Sequence, residues 1–346
     1  MKADRKQSKI YHALVVGAGR IGFSLGLDRL REQPASHALA LAGHPRVRLA
    51  GAVDIDPARL SAWQKQFPHT NTYRDLEAAL TVEKPEIVVI AVPEAAHAAV
   101  ALAVFPHRPR LVILEKPVAP NLKEAAAIVR AAARHRVPVS VNHERRFSLD
   151  YVRARDWLRD KRIGEVHAVR AALWSGAPVW TRGAERDGAC SLLHDGTHLV
   201  DTVRFLLGRD LERITVDFMR RGRGGRVDQL FFHGTAGKDV FVELELAGNK
   251  RVFDFEIEVT GAAGRLHLGN GFLRLMRRAP SRLYSGFYSL RRDPAVTRPK
   301  KTGYFSRMVE NCVDFLDGRA ELVSPLAEGV KTLKTLYRVI DQLKRK

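Results

Sequence analysis

Short, mainly apolar runs recur through the first part of the chain, at 13–16, 47–53, 87–92, 111–114 and 137–141, the one at 87–92 unbroken. Strands buried on both faces of a parallel sheet read this way. Stretches with helical spacing lie between them: Ile21, Leu25 and Leu30 recur near one face, then come 38–42, the alanine-rich 95–104, and 122–136. Alternating strands and helices predict a doubly wound parallel sheet over residues 10–141. The pattern changes after Val141. A helix at 151–160 precedes strand-like segments at 165–174, 213–219, 229–232, 240–247, 253–260 and 265–268. In one of them Val240, Val242, Leu244 and Leu246 alternate with Phe241, Glu243 and Glu245, the period of a sheet with one wet face. Residues 142–346 therefore read as an α+β domain on an open, largely antiparallel sheet, closed by helices at 304–316 and 326–343. The last helix is expected to pack back on the first domain. A length of 346 residues suits two domains with ample cores.

The first apolar run ends in Gly17-Ala18-Gly19-Arg20-Ile21-Gly22, a strand, a tight turn and a helix start, which is the layout of a dinucleotide fingerprint. Gly17 permits the turn, Gly19 lets backbone approach a pyrophosphate, and Gly22 allows close packing. The diphosphate would sit on the free N–H groups at the helix N-terminus. The same turn also suits another adenosine-containing ligand, such as a methyl donor. Residues 29–36 read as a loop inserted before the helix resumes. The second strand ends in Asp54, a carboxylate that accepts the adenosine ribose hydroxyls and repels a 2′-phosphate, which favours NAD over NADP. Asp54-Ile55-Asp56-Pro57 is equally good turn chemistry. Pro93 stops the third run, with His97 one turn into the helix beyond. The fourth ends in Glu115-Lys116-Pro117, which places Lys116 at the carboxyl edge of the sheet, where ligands bind.

Charge alters this picture only in part. Lys and Arg number 58 against 38 Asp and Glu, a formal net charge of +20, which favours anionic partners. No zinc-finger spacing or RNP-type aromatic motif accompanies it, so nucleic acid is not the expected partner. Residues 272–301 concentrate Arg274, Arg277, Arg278, Arg282, Arg291, Arg292 and Arg298 with Tyr284, Phe287 and Tyr288, and read as a mobile basic loop or a clamp for an acidic ligand. No apolar run reaches membrane-spanning length, and the basic Met1–Lys9 stretch lacks the apolar core of a secretory signal. Two cysteines, Cys190 and Cys312, form no metal or disulfide pattern. The expected location is the cytoplasm, with no membrane partner.

GAGRIG, the strand-end Asp54, AVP followed by His97, EKP, and VNHERRF stand in the order of the glucose–fructose oxidoreductase, inositol dehydrogenase and MocA (Gfo/Idh/MocA) family, which the chain resembles over nearly its whole length. EKP is the most specific mark. Val92 stands where the family usually has Thr or Ser. The resemblance implies a Rossmann domain binding NAD through Gly17, Ala18, Gly19, Arg20, Ile21, Gly22, Asp54, Pro93, His97, Glu115 and Lys116. It implies Arg146, His194 and Asp195 as substrate contacts, and a homodimer or homotetramer built on the second sheet.

A second cluster lies at Leu193-His194-Asp195-Gly196-Thr197-His198-Leu199-Val200-Asp201. His194, His198 and Asp201 are three or four residues apart and read as sharing one helix face. A histidine pair without a third ligand is weak evidence for metal, and none is expected. The family has an Asp, then three residues, then the His, so with the His at His198, His194 takes the place of that Asp and Asp195 follows it. The implied chemistry is hydride transfer between a nicotinamide and a secondary hydroxyl of a sugar, inositol or nucleotide sugar, with an anionic substrate favoured by the charge. Lys116 and His198 are the candidate catalytic groups, and which of them takes the proton is left open. The alternatives are an NAD-binding sensor or scaffold without turnover, and a basic nucleic-acid-associated protein.

Overall fold

A computed structural model describes residues 9–184 and 190–345. The basic N-terminal stretch 1–8 and the final Lys346 lie outside the described residues. The chain divides into two compact units, one of 1–119, 123–147 and 303–329, the other of 120–122, 148–302 and 330–346.

The first unit is built on six parallel strands, β1 (Tyr11–Val16), β2 (Val47–Val53), β3 (Asn71–Tyr73), β4 (Ile87–Ile90), β5 (Leu111–Leu114) and β6 (Val139–Val141), in the order β3-β2-β1-β4-β5-β6. Every residue of β4 and β5 is buried, as the unbroken apolar runs require. The helices are α1 (His37–Ala42), α2 (Pro57–Gln66), α3 (Leu76–Glu83), α4 (His97–Val104) and α5 (Leu122–His135). Local chemistry starts them: Asp56 caps α2 by accepting from the Ala58 N–H with Pro57 at the first position, and Asp75 caps α3 through the Ala78 N–H. The short β3 carries no full apolar run, and sequence reasoning missed it.

The helix expected directly after the glycines is not continuous. Gly19–Phe23 make about one helical turn, a short 3-10 turn follows at Ser24–Leu27, and α1 begins only at His37. The N–H groups of His37 and Ala38 donate to the carbonyls of Ile21 and Gly22, at 3.1 and 2.9 Å. Those carbonyls would ordinarily accept from residues 25 and 26. The first helix is thus spliced, α1 continuing the turn begun at Gly19 while residues 24–36 form an insertion between the two. Leu30, expected on the buried face, is almost fully exposed.

The chain continues through α6 (Leu149–Arg159) into the second unit, whose strands are β7 (Val166–Trp174), β8 (Leu211–Arg221), β9 (Val227–Ala236), β10 (Val240–Ala247), β11 (Asp254–Gly261), β12 (Gly264–Gly269), β13 (Phe272–Pro280) and β14 (Tyr288–Arg292). Their order is β14-β13-β12-β11-β7-β10-β9-β8, with β7 and β10 parallel and every other pair antiparallel. Two further helices, α7 (Ser191–His194) and α8 (Gly196–Leu207), lie between β7 and β8.

The basic segment 272–301 is a correction: it is largely a hairpin of two more strands. Its arginines have structural partners, Arg277 on Asp293 at 3.2 Å and Arg298 on buried Asp150 at 3.1 Å, while Arg278 lies 3.8 Å from the centre of the Tyr288 ring. The closing helices are α9 (Tyr304–Leu316) and α10 (Leu326–Arg345). The element that returns to the first unit is α9, which sinks Phe305, Met308, Val309, Cys312 and Val313 into the core containing Ala13 and Val15. The expectation placed α10 there. Most of α10 instead belongs to the second unit, where it buries Leu333, Leu336, Val339 and Ile340.

Candidate functional site

The register of the parallel sheet places the site. Val16 pairs with both Val53 and Ile90, Ile90 with Leu114, and Leu114 with Val141. The next residue on each strand, Gly17, Asp54, Ala91, Glu115 and Asn142, therefore stands in one row along the carboxyl edge, and the chain order reverses between β1 and β4. Open α/β sheets bind ligands at such a switch point.

The three glycines differ in what the protein demands of them. Gly17 has φ +100°, and a Cβ there would stand 2.5 Å from the Ala91 carbonyl oxygen. At Gly22 a Cβ would meet the Gly17 carbonyl oxygen. At Gly19 the nearest atom would be Arg59 Nη1 at 3.7 Å, an ordinary contact. Packing requires two of the glycines and does not require the third, where only the end of a flexible side chain would be met. Ala18, Arg20 and Ile21 complete the turn, and Arg20 is exposed.

Asp54 is buried and joins the second strand end to this turn. Its Oδ2 accepts from the Ala18 N–H at 2.8 Å, and Oδ1 from the Asp56 N–H at 2.9 Å. Arg59, half exposed, comes within 3.5 Å of the same carboxylate. A buried carboxylate thus stands at the second strand end, with a cation beside it that the sequence reading passed over.

Glu115 and Lys116 are both buried. Glu115 Oε1 receives His37 Nε2 at 2.7 Å and Asn142 Nδ2 at 2.5 Å, and Oε2 receives the Lys116 backbone N–H at 3.3 Å. Burial pushes the proton affinity of Glu115 up. The bond from His37, the charge of Lys116 and the bond from Asn142 outweigh it, so its pKa lies below the ordinary carboxylate value. Pro93 precedes a short 3-10 turn leading into α4. His97 is 1% exposed, with Nδ1 2.9 Å from the Pro117 carbonyl and Nε2 3.0 Å from that of Val92. Burial lowers its pKa despite those carbonyls, so the neutral ring donates to one of them and braces the EKP turn against the end of β4.

Arg146 was expected to meet substrate. Its guanidinium is instead buried and donates to the Val323 carbonyl at 3.2 Å and to Glu328 at 3.1 Å. Glu144, two residues before it, is the group whose environment is unusual. Burial raises its pKa, opposed by the charges of Arg145 and Lys116 and reinforced by that of Glu115. Tyr304, at the start of α9, is raised by burial and next by the charge of Glu144. The inserted loop reaches the same neighbourhood, Glu32 accepting from the Gly303 N–H at 2.6 Å. His37, Asn142, Glu144, Arg59 and Tyr304 went unassigned from sequence. Asn142 and Glu144 lie inside the quoted VNHERRF motif, so the signal for them was present.

In the second unit the histidine cluster is not one helical face. The helix is interrupted at Asp195, leaving α7 and α8. His194 is exposed, His198 half-buried, and Asp195 accepts from Ser191 Oγ at 3.0 Å. Asp201 points inward and is a correction to the shared face. Its Oδ1 accepts from Thr332 Oγ1 at 3.0 Å and lies 3.8 Å from the buried Arg204, because a buried guanidinium one turn further on needs a counter-charge. Among the described residues no group of three or more His, Cys, Asp or Glu could hold a metal. No described helix is long and apolar enough to cross a membrane.

Comparison with known proteins agrees with this geometry. Residues 11–143 match the profile of the oxidoreductase family with an NAD-binding Rossmann fold, and residues 151–267 that of the GFO/IDH/MocA C-terminal domain. The chain belongs to the Gfo/Idh/MocA family. Inositol 2-dehydrogenase of Rhizobium meliloti is 27% identical over 271 residues, 74% of each chain. D-apiose dehydrogenase of Rhizobium rhizogenes is 26% identical over 232 residues, 65% of this chain and 67% of that one. Three other curated relatives align over 41–51% of their own length, so the chain spans about half of each of these. Among solved structures, an oxidoreductase from Agrobacterium radiobacter, crystallised with NAD+, L-tartaric acid and magnesium, superposes with a TM-score of 0.75 at 18% identity over 96% of both chains. At that identity the likeness concerns the fold.

Proposed function

We propose that the chain is an NAD-dependent dehydrogenase or reductase acting on a secondary hydroxyl or ketone of a sugar, inositol or nucleotide sugar. The observation that carries this reading is the level row of strand ends, with Gly19, a glycine that packing does not require, after one strand and buried Lys116 two strands away. Dinucleotide bound along the row supplies a hydride acceptor at the nicotinamide C4. Gly17–Gly22 would hold the diphosphate on backbone N–H groups, and Asp54 would accept the ribose hydroxyls, favouring NAD over NADP. Lys116 Nζ and His198 are the candidate acceptors of the hydroxyl proton, which would leave as the carbinol carbon gave its hydride to a bound nicotinamide. His194 and Asp195 are the other candidate substrate contacts. The net charge of +20 favours a phosphorylated, uronic or nucleotide-linked substrate. The two buried free thiols suit a reducing cytoplasm, and the polar face of the second sheet suits a homodimer or homotetramer.

The test is reduction of NAD, and of NADP in parallel, against a panel of sugars, inositols and nucleotide sugars, wild type beside Lys116→Ala. The expected result is turnover favouring NAD, with kcat lower by about 10²–10⁴ in the variant and NAD affinity retained. Absence of NAD binding, or equal turnover in the variant, overturns the reading.

A further inference from the structure

His37 is fully buried, and its imidazole makes its polar contacts through one nitrogen. Nε2 lies 2.7 Å from Glu115 Oε1 and 3.4 Å from Asn142 Nδ2, while Nδ1 is buried with no partner among the described residues. The rest of the ring meets Phe305 edge-on at 5.1 Å between centroids. Burying an imidazole with one nitrogen unsatisfied costs stability, so the bond it does make is the reason for its place. An ionised carboxylate only accepts, so Nε2–H donates to it. Asn142 Nδ2 donates to the same oxygen and the Lys116 backbone N–H to the other. The spliced helix is what delivers the ring. Its N–H bond to the Ile21 carbonyl sets His37 where residue 25 of an uninterrupted helix would stand.

We propose that His37 is a positioning residue for Lys116: with Asn142 it clamps Glu115 as a fixed, ionised carboxylate next to Lys116, and so sets where the lysine side chain stands. The proposal rests on the catalytic reading of Lys116 given above. The charged and titratable groups that face Glu115 are His37 from α1, Lys116 on its own turn, His97 from α4, and Glu144 beyond β6. Of these, His37 donates a side-chain hydrogen bond to it, and Asn142 adds an uncharged one.

Two readouts test the clamp in the full chain. The first is the carboxyl carbon-13 resonance of Glu115, assigned by its loss in Glu115→Gln and followed against pH. His37→Leu fills the slot against Phe305 without a donor, and His37→Gln returns an N–H. Glu115 is expected to take up its proton at a higher pH in His37→Leu and near the wild-type pH in His37→Gln. The second readout is the kinetic split on whichever substrate the panel yields: kcat lower by about 10- to 100-fold in His37→Leu, NAD affinity within about twofold of wild type, and recovery in His37→Gln. Coincident Glu115 titrations in all three proteins overturn the clamp. Unchanged kcat, or a loss confined to NAD affinity, overturns the positioning role. Asn142→Leu removes the other donor, and should His37→Leu fail to fold it is read the same way. The Glu115 resonance needs no turnover, so a silent substrate panel refutes the dehydrogenase reading and leaves the clamp separately decided.

Discussion

Gly17 and Gly19 stand two residues apart in one turn, and substituting each with alanine should break different things. At Gly17 the backbone has φ +100°, and the new Cβ would stand 2.5 Å from the Ala91 carbonyl oxygen and 2.7 Å from its carbon. An L-residue in a positive-φ conformation costs about 1–2 kcal/mol. The clash is with backbone at the end of β4, which cannot swing aside as a side chain does, so the total should exceed about 2 kcal/mol. At Gly19 the nearest atom would be the end of the flexible Arg59 side chain, 3.7 Å away, and φ is not in the positive range. Alanine there should leave stability unchanged or raise it by about 0.4–1 kcal/mol through the unfolded chain. Its methyl group would however fill the space assigned to the pyrophosphate. A 100-fold weaker Kd is about 2.8 kcal/mol. With NAD at 100 times the wild-type Kd, binding stabilises wild type by about 2.7 kcal/mol and Gly19→Ala by about 0.4 kcal/mol. Melting curves with and without NAD, together with direct titration calorimetry, separate the cases. Gly17→Ala should melt early with or without ligand, and Gly19→Ala should melt normally and gain almost nothing from NAD. If Gly19→Ala gains as much as wild type, the diphosphate does not lie on this turn and the cofactor site is misplaced.

Two further outcomes follow from charges elsewhere. Asp317 accepts from Tyr11 Oη at 2.6 Å and Arg46 Nη2 at 2.7 Å, and the Arg46 bond, ahead of burial, holds its carboxyl well below the usual carboxylate range. A depressed folded-state pKa contributes stability above the unfolded value near 4 that is lost as pH falls toward the folded one. Asp317→Asn should therefore cost about 1.5–3 kcal/mol at neutral pH, and its deficit in chemical denaturation should shrink below about pH 4; a deficit constant with pH refutes the charge argument. On the outward face of the second sheet Arg265, Arg274, Arg278 and Arg292 lie on β12–β14, beside Glu243, Glu245, Glu256 and Glu258 on β10 and β11. A two-fold pairing of that face would set unlike charges together, so light scattering should find a mass of two or four chains, falling in a Glu256→Lys, Glu258→Lys double variant; a monomer at working concentration refutes it.

Much of the fold was legible because burial on both faces leaves a mark no polar residue interrupts. Ile87–Ile90 and Leu111–Leu114 could hardly be other than inner strands, and Glu115-Lys116-Pro117 inherited its place from the strand before it. Asn71–Tyr73 carries no such mark: it is a short outer strand, partly exposed, and its pairing with β2 is decided by tertiary context. The hairpin at 272–292 was misread for the opposite reason. Leu273 and Leu275 alternate with Phe272, Arg274 and Met276 as a half-buried strand should, but the density of arginine drew attention to charge and away from period.

The site itself was legible where one residue acts alone and illegible where residues act through one another. Gly17, Asp54 and Lys116 each follow a strand end, and spacing along the chain locates them. His37 does not, because residues 24–36 separate it from the turn whose helix it continues. Read by sequence distance it belongs to a loop, and read by hydrogen bonds it lies one helical turn beyond Ile21. Arg146 shows the converse error. It sits in a recognisable motif, and its charge invited a substrate role, yet a guanidinium this deeply buried must find acceptors in the protein and does so at Val323 and Glu328, more than 170 residues away. Both cases follow from one physical fact. A buried polar group is defined by its partner, and the partner's position in the sequence carries no local signal.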